Sequence, residues 1–393
     1  MLPLKGIRVL DLSRLLPGPF CSMLLADFGA EVIKIEDPKK GDYIRWWPPL
    51  LGGTSGFHIV LNRNKKSVTI NLKSDEGKKI FLELVKKADV VLEGFRPGAM
   101  DRLGIGYRVL KEVNPKLIYC AITGYGQHGK RALRAGHDIN YLAMAGVLSY
   151  TGTEEGTPVV PGVQIADIGG GGLPAAFAIV LALWNREKTG KGDFLDISMT
   201  DMAVMWNCLR WGKFLADGKV PRYGDDMLNH GYACYSIYRT KDGRYMSLGA
   251  LEPQFWENFC RALGREDLNV PEYFTPGEHQ KRLKKELEEI FITKTQSEWI
   301  EFFAHVDCCC EPIRNLDEVM NDNEFLTRGL VVKMLHESWG AYMQLGNAIR
   351  STQMQPLIRS HAPELGEHTE VILEEILNLT TEDIKKLRDG GII

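Results

Sequence analysis

The feature that most constrains the fold of this chain is a regular alternation of short apolar runs and helical patterns in its first 125 residues. Apolar runs typical of buried strands occupy positions 7–12, 30–35, 67–72, 90–93 and 117–123. Helical patterns at 20–28 and 75–88 lie between them, and the second begins with acidic residues and ends with basic ones, as the helix dipole favours. The alternation predicts an α/β fold, with a Rossmann-like parallel sheet that carries helices on its faces.

A smaller α+β domain is predicted downstream, because the sequence pattern changes near residue 216. Its predicted elements are strands at 235–239 and 245–248, joined by a Lys-Asp-Gly turn, and amphipathic helices near 252–263 and 280–292. The sequence therefore predicts a large domain at 1–200, completed by 325–393, and a small domain at 220–315. Beyond about residue 316 we expect irregular chain until the final helices.

The composition argues against several classes of protein. A formal net charge of −3 gives no electrostatic basis for binding nucleic acid. The most apolar later stretch, at 173–183, is too short to span a bilayer, and no secretory signal pattern opens the chain. The eight cysteines show no zinc-ligand spacing, and Cys308, Cys309 and Cys310 are consecutive. We therefore expect a soluble cytoplasmic protein with reduced thiols, no metal, and no membrane or nucleic-acid partner.

An aspartate followed by a glycine run is the first candidate for chemistry. Asp167 and Ile168 precede four consecutive glycines at 169–172, and a loop that opens a long buried helix is predicted there. Glycines let a substrate approach the backbone closely, and exposed N–H groups at a helix start hold an anion or a developing oxyanion. The same pattern also suits a tight turn with no ligand. It is not a dinucleotide fingerprint, because the run lies far from the first strand.

Two further side chains have the potential for acid–base chemistry. His137 stands beside Asp138, and a histidine is a common general base near neutral pH. Glu252 opens the sequence Glu-Pro-Gln-Phe at the start of a predicted helix. Each also has an ordinary structural explanation, since histidines beside helix starts and solvated acids that open helices are common without any catalytic role.

Basic side chains are scattered through the predicted large domain. They are Arg63, Lys65, Lys66, Lys73, Arg96 and Arg102. Crevices at the carboxyl ends of parallel strands bind phosphate-bearing ligands, and arginine pairs well with phosphate oxygens. The residues alone therefore indicate a phosphate-bearing ligand near a carboxylate and a histidine.

Short motifs distributed over nearly the whole chain resemble the family III coenzyme A transferases. They include Gly-Ile-Arg-Val-Leu-Asp at 6–11, Pro-Gly-Pro at 17–19, Leu-Ala-Asp-Phe-Gly-Ala at 25–30, Glu-Gly-Phe-Arg-Pro-Gly at 93–98, Gly-Tyr-Gly-Gln at 124–127, Thr-Gly-Lys-Gly at 189–192 and Gly-Glu-His-Thr at 366–369. Within that family the chain is most similar to the α-methylacyl-CoA racemase branch. The branch motifs are Gly-His-Asp-Ile-Asn-Tyr at 136–141, Asp167 before its glycines, and Glu-Pro-Gln-Phe at 252–255.

The resemblance implies an enzyme that racemises 2-methylacyl-CoA thioesters, removing the α-proton on one face and returning one on the other. It implies that His137, supported by Glu252, is one acid–base group and that Asp167 is the other. Coenzyme A would be part of the substrate, and no separate cofactor is implied. Backbone N–H groups near His137 or in the glycine run would stabilise the enolate oxygen. The family also implies an intertwined homodimer, with Glu252 reaching the site from the partner chain.

The resemblance also implies where the coenzyme A portion binds, in three segments of the large domain. The implied ligand residues are Ile70, Asn71, Leu72 and Lys73; Gly94, Phe95, Arg96 and Arg102; and Gly136, Asp138, Ile139, Asn140 and Tyr141. Among them, Arg96 and Arg102 are expected to contact phosphates, because guanidinium groups bind phosphate oxygens through paired hydrogen bonds.

Departures from the racemase pattern leave transferase activity as an alternative. The segment 43–64 is longer than racemases usually have and is similar to transferases, and Asp37 stands where racemases often have an arginine for a CoA phosphate. In the transferases, the residue that matches Asp167 becomes a covalent acyl anhydride and then a thioester with CoA. A CoA-binding protein without catalysis is a third hypothesis, and the joint presence of Asp167, His137 and Glu252 argues against it.

Overall fold

The structure, a computed structural model, describes residues 2–153, 155–224 and 226–393. Contacts divide the chain into two units. The first consists of Met1–Ala145, Gly162–Trp206 and Asn323–Ile393, and the second of Gly146–Pro161 and Asn207–Asp322. Residues 146–161, which the sequence placed with the large domain, therefore group with the second unit.

Six parallel strands form the central sheet of the first unit. They are β1 (Arg8–Asp11), β2 (Glu31–Glu36), β3 (Lys65–Thr69), β4 (Val90–Glu93), β5 (Ile118–Thr123) and β6 (Asp193–Ser198). Their order across the sheet is β3-β2-β1-β4-β5-β6, and every neighbouring pair is parallel. This is the strand order of doubly wound nucleotide-binding sheets, so the predicted Rossmann-like parallel sheet is confirmed. In such sheets the direction of winding reverses between β1 and β4.

Burial on both faces explains why these strands read as nearly continuous apolar runs. Val9 and Leu10 in β1, like Val91 and Leu92 in β4, are fully buried. The helices of this unit before residue 207 include α1 (Pro17–Asp27), α2 (Asp75–Val85), α3 (Tyr107–Val113), α4 (Asp138–Met144), α5 (Leu173–Thr189) and α6 (Met199–Met205), with short helices at Gly56–Leu61 and Ala99–Arg102. Helix α2 begins at its predicted position, where the Ser74 hydroxyl accepts a hydrogen bond from the Gly77 N–H at 3.0 Å.

Helix α5 differs from its prediction in both length and burial. A π-helical turn, Ile165–Gly172, runs directly into it, so the combined segment Ile165–Thr189 has 25 residues and is long and apolar enough to cross a membrane by length and composition. The expectation that this stretch is too short is therefore wrong. The segment packs against α1, β5 and β6 as a core helix does, but Phe177 and Trp184 on its other side are 65% and 63% exposed.

The second unit is built on a three-stranded antiparallel sheet, which confirms the predicted hairpin. Its strands are β7 (Tyr235–Arg239), β8 (Tyr245–Gly249) and β9 (Cys310–Pro312), in the order β9-β8-β7. Its helices are α7 (Cys208–Asp217), α8 (Pro253–Leu263), α9 (His279–Phe291) and α10 (Gln296–Phe303). Stacked aromatic side chains, among them Trp256, Phe259 and Phe291, fill the core between sheet and helices. The two predicted amphipathic helices correspond to α8 and α9.

The chain beyond residue 316 is more regular than expected. It forms short helices at Leu316–Met320 and Asn323–Thr327 and an antiparallel hairpin of β10 (Val331–His336) and β11 (Gly340–Leu345). Gly340 has a φ of 70°, which lets the chain reverse tightly between the two strands. Helices α11 (Thr369–Leu377) and α12 (Thr381–Asp389) follow, and Ile372, Leu373 and Ile384 join the apolar core of the parallel sheet.

Candidate active site

A cavity of about 620 Å³ opens in the first unit beyond the carboxyl ends of β1, β4 and β5. Ser13 and Arg14 line it after β1, Gly94 and Phe95 after β4, and Gly124 after β5. The carboxyl edge at the β1/β4 reversal is where doubly wound sheets bind their ligands, since the loops there diverge and leave a crevice. Topology alone therefore marks this cavity as the candidate site.

Asp167 and His137 line this same cavity, although 29 residues separate them in the sequence. Asp167 lies in the π-helical turn, and burial raises the pKa of its carboxyl to about 7, with the charge of Asp138 as the second cause. The Asp138 carboxylate accepts hydrogen bonds from the Ala166 N–H at 2.6 Å and the Asp167 N–H at 3.0 Å. One short segment thus supplies both His137 and the group that orients the Asp167 backbone.

His137 stands just before α4, at a helix start whose polar groups hydrogen-bond to one another. The His137 N–H donates to the Asn140 side-chain oxygen at 3.0 Å, and the Asn140 N–H donates to the His137 carbonyl at 2.8 Å. The Tyr141 hydroxyl donates to the Gly136 carbonyl at 2.5 Å. The motif at 136–141 therefore fixes the backbone from which the exposed imidazole projects. The His137 N–H is already donated and is not free to stabilise an enolate, so that role stays a prediction for the other N–H groups near His137 and for those of the glycine run.

The glycine run has a packing role that the sequence did not reveal. A Cβ atom at Gly170 would lie 2.8 Å from the Met199 carbonyl oxygen, and one at Gly172 would lie 2.7 Å from the Pro17 carbonyl oxygen. Both distances are shorter than real Cβ contacts, so only glycine lets the turn sit between α1 and α6. Gly170 and Gly172 are buried, so the expectation that they leave room for a substrate is wrong for them.

The predicted ligand residues divide into a group that lines the cavity and a group that does not. Gly94, Phe95, Arg96, Gly136, Asn140 and Tyr141 are among the lining residues. Among the described residues, the lining set does not include Asn71, Leu72, Lys73, Arg102, Asp138 or Ile139. The Ile70 side chain is 1% exposed in the core of the sheet, so it is not available to a ligand, and a role for Ile70 would have to use its main chain.

Glu252 belongs to the second unit, at the residue that precedes α8. It lines a cavity of about 650 Å³ there, together with apolar side chains that include Tyr273 and Phe274. The hypothesis that Glu252 supports His137 stays a prediction. The three adjacent cysteines are in the same unit: Cys308 and Cys310 are buried, and Cys309 is exposed with a φ of 53°. Within the described residues, no group of three His, Cys, Asp or Glu side chains is placed to hold a metal ion.

Sequence reasoning missed several residues of the site. Arg14, Tyr43 and Arg134 line the cavity, and none of them was singled out. The signal was available for Arg14, because it follows the first strand of a doubly wound sheet. Glu93, at the end of β4, was also missed: it is 5% exposed, its carboxylate accepts the Phe95 N–H at 2.6 Å, and burial raises its pKa to about 7. Glu93 thereby fixes the loop that carries Phe95.

The fold and the cavity define a doubly wound α/β protein with a carboxyl group and an imidazole at its ligand crevice. The family model described as CoA-transferase family III matches residues 4–369. The chain is 36% identical to the α-methylacyl-CoA racemase of Homo sapiens, over 99% of this chain and 97% of that protein. It is 37% identical to the succinyl-CoA:glutarate CoA-transferase of Homo sapiens, over 100% of this chain and 90% of that protein.

The solved structures agree with these sequence relatives. A crystal structure of a CaiB/BaiF family protein from Brucella suis superposes with a TM-score of 0.83 at 32% identity, covering 95% of this chain and 99% of that one. The chain belongs to CoA-transferase family III, as its motifs indicated. Its relatives include both racemases and CoA-transferases at similar identity, so membership alone does not choose between the two reactions.

Proposed function

We propose that this protein racemises 2-methylacyl-CoA thioesters by moving a proton between the two faces of the α-carbon. The observation that carries the proposal is that His137 and Asp167, two side chains of different acid–base type, line one cavity. Racemisation requires two such groups, one protonated while the other is not. A carboxyl whose pKa is about 7 is present in both forms near neutral pH, so Asp167 is suited to give a proton as well as to take one.

CoA-transferase activity is the second candidate, and a specific observation favours it. Tyr43, at the start of the segment 43–64 that is similar to transferases, lines the cavity with Asp167. In a transferase the Asp167 carboxylate would attack the thioester carbonyl, form a mixed anhydride and release the CoA thiolate. The thiolate would attack the Asp167 carbonyl of that anhydride, which leaves a thioester at Asp167 and expels the first acyl group as a free carboxylate. The second acid would attack this thioester, and the CoA thiolate it releases would attack the acyl carbonyl of the new anhydride, which forms the product thioester and restores Asp167. The transferases among the relatives are as similar to this chain as the racemases are.

The two reactions are distinguished by incubating one enantiomer of a 2-methylacyl-CoA in heavy water with the purified protein. We expect deuterium at the α-carbon and loss of enantiomeric purity, with no need for a second carboxylic acid. Of two parallel reactions, one contains a free acid as acceptor and the other contains hydroxylamine, which attacks an activated Asp167 carbonyl, expels its leaving group and leaves a hydroxamate on that residue. An adduct on Asp167, with CoA transferred to the acid and no deuterium incorporated, would overturn the racemase proposal in favour of the transferase.

We also propose that the protein is a homodimer, as the family resemblance implies. Each unit carries an exposed apolar helix face that supports this: Phe177, Leu181 and Trp184 lie on one side of α5, and Leu209 and Leu215, the latter 73% exposed, lie on α7. Apolar faces of this kind are characteristic of surfaces that bind another protein. In the dimer, Glu252 would come from the partner chain.

The dimer predicts a particle of twice 44.2 kDa in analytical ultracentrifugation at micromolar concentration. The double variant Phe177→Asp/Trp184→Asp is expected to sediment as a monomer, because charges on this face have no partner in an apolar interface. Val109→Asp changes an exposed apolar residue on α3 and serves as the matched control. A monomeric wild-type protein would contradict the proposal.

A further inference from the structure

Glu93 is a buried carboxyl group to which the proposed mechanism gives no role. It ends β4, one of the strands whose carboxyl ends open into the cavity, and it is 5% exposed. Among the described residues that line the cavity, Glu93 is absent, whereas the four residues after it, the 94–97 loop, are all present. Any effect of Glu93 on a bound ligand must therefore be transmitted through this loop.

The surroundings of Glu93 offer no positive charge. Within the described part of the chain, no lysine, arginine or histidine forms an ion pair with it, and the charged groups that act on it are Asp101, in the short helix after the loop, and Asp196 in β6. Burial raises the pKa of Glu93 to about 7 against the opposing hydrogen bonds from Phe95 and Tyr119, and the two acids raise it further. A buried carboxylate without a cation lowers stability, and an apolar side chain of similar size is often neutral or stabilising in such a place. Packing alone therefore does not account for a glutamate here.

The two hydrogen bonds that the carboxylate accepts are unequal. One oxygen accepts the Phe95 N–H at 2.6 Å, and the other accepts the Tyr119 hydroxyl at 3.4 Å. The first distance is that of a short, charge-assisted bond, and the second is longer than a well-formed O–H···O bond. The Tyr119 ring is also held independently, because it stacks on Phe194 with the ring centroids 5.4 Å apart. The carboxylate therefore acts mainly on the backbone of the loop.

The 94–97 loop carries or contacts two cationic side chains of the cavity. Arg96 belongs to the loop, and the Arg14 guanidinium lies 5.1 Å from the centroid of the Phe95 ring, a cation–π contact. At its far end the loop is fixed by a turn, in which Gly98 has a φ of 77° and the Ala99 N–H donates to the Arg96 carbonyl at 3.0 Å. At its near end, the hydrogen bond to Glu93 is the contact that sets the position of Phe95.

We propose that Glu93 is a positioning residue for ligand binding, whose carboxylate holds the 94–97 loop in the conformation that binds coenzyme A. The inference rests on the proposed function only in placing coenzyme A in this cavity, and it applies to the racemase and to the transferase alike. It implies that the affinity for CoA depends on the hydrogen bond to the Phe95 N–H and does not follow the stability of the protein.

Isothermal titration calorimetry with free CoA tests the proposal without requiring turnover. Glu93→Met keeps the volume but removes the acceptor, and it should weaken CoA binding about tenfold or more, because the loop then keeps the binding conformation for about a tenth of the time or less. Glu93→Gln still offers an oxygen to the Phe95 N–H and should bind CoA within about threefold of the wild type, since a neutral acceptor forms a weaker bond. Tyr119→Phe is the matched control: it removes the other hydrogen bond of the same carboxylate and should bind CoA within about twofold of the wild type.

Thermal unfolding of the same variants separates positioning from a structural role. Glu93→Met should unfold within about 4 °C of the wild type, because the loss of two hydrogen bonds is offset by the loss of a buried charge. Hydrogen exchange needs no variant: the Phe95 N–H of the wild type should exchange about tenfold or more slowly than in an unstructured peptide. That protection should be retained in Glu93→Gln and lost in Glu93→Met.

Any of three results would overturn the proposal. They are a Glu93→Met variant that binds CoA as tightly as the wild type, a Tyr119→Phe variant that is weakened as much as Glu93→Met, and an unprotected Phe95 N–H in the wild type. The last result decides the matter even if Glu93→Met does not fold. Because the readouts are binding and exchange of backbone N–H groups, absence of α-proton exchange in the substrate would contradict the racemase proposal and leave the result for Glu93 intact. Unchanged CoA binding in Glu93→Met would in turn leave the racemase proposal intact.

Discussion

Asp167→Asn is expected to lower the exchange of the α-proton from one enantiomer of a 2-methylacyl-CoA by about 10³-fold, and His137→Ala should do the same for the other enantiomer. In the proposed racemase mechanism each group would face one side of the α-carbon, and a positioned general base contributes on the order of 10²- to 10⁴-fold. Net racemisation needs both groups, so each variant should lose it entirely. The measurement is mass-spectrometric deuterium incorporation from each pure enantiomer in heavy water.

Matched variants on exposed positions of the same unit provide the controls. Asp193→Asn repeats the carboxylate-to-amide change at the start of β6, and His128→Ala repeats the imidazole deletion, both outside the cavity lining. Both should exchange either enantiomer at the wild-type rate. If instead Asp167→Asn abolished all reaction while His137→Ala remained nearly as active as the wild type, Asp167 would be acting as a nucleophile and the transferase mechanism would replace the racemase mechanism.

The local pattern of the sequence was sufficient for the sheet but not for the site. The strands were predictable because strands that are buried on both faces consist of nearly continuous apolar runs, as in β4 and β5. The hairpin of β10 and β11 was missed because exposed apolar side chains, Leu335 and Leu345, interrupt the alternation of buried apolar and exposed polar residues that predicts a strand. Helices and strands could therefore be predicted from the sequence where the burial of their side chains follows one regular pattern from end to end.

The site depends on which strands are neighbours, and that information is not local. Arg14, Phe95 and His137 follow three different elements, and only the order of the strands brings their loops to one cavity. The glycines after Asp167 show that a local pattern can also suggest a different role from the one that the tertiary structure reveals. They read as a substrate-binding loop, yet two of them are required by the close approach of α1 and α6. Candidate residues were thus identified from chemistry, and their grouping needed the tertiary structure.

Two buried ion pairs, Lys34 with Asp42 and Lys65 with Asp11, form a buried ionic layer that could not be predicted from the sequence either. Lys34 and Lys65 look like surface lysines at strand positions, but their side chains are fully buried and paired. Lys65 is 2% exposed, and this burial lowers its pKa to about 7 although the charge of Asp11 acts in the opposite direction. Lys34 and Asp42 also hydrogen-bond to the Ser13 carbonyl and the Leu15 N–H, so this layer holds the main chain on both sides of Arg14.

The pH dependence of the reaction should report the raised pKa of Asp167. When Asp167 removes the proton it must be ionised, so kcat/KM for that enantiomer should rise about tenfold per pH unit below 7 and level off above it. When Asp167 returns the proton it must be protonated, so turnover of the opposite enantiomer should fall as pH rises through 7. The rate at which each pure enantiomer is converted into the other, followed by chiral chromatography over a range of pH, measures the two profiles separately. An acid limb near pH 4 would contradict the assignment, because 3.8 is the ordinary value for an aspartate.

The variant Asp138→Asn tests whether Asp167 is the group that titrates in the pH profile. The amide oxygen still accepts the Ala166 and Asp167 N–H groups, but the negative charge that disfavours ionisation of Asp167 is gone. The pKa of Asp167 should therefore fall, moving the acid limb to lower pH, and it should remain above its ordinary value because burial is the larger cause. Asp101→Asn, an exposed change outside the cavity lining, should leave the limb in place. A limb that does not move in Asp138→Asn would mean that a group other than Asp167 titrates in the profile.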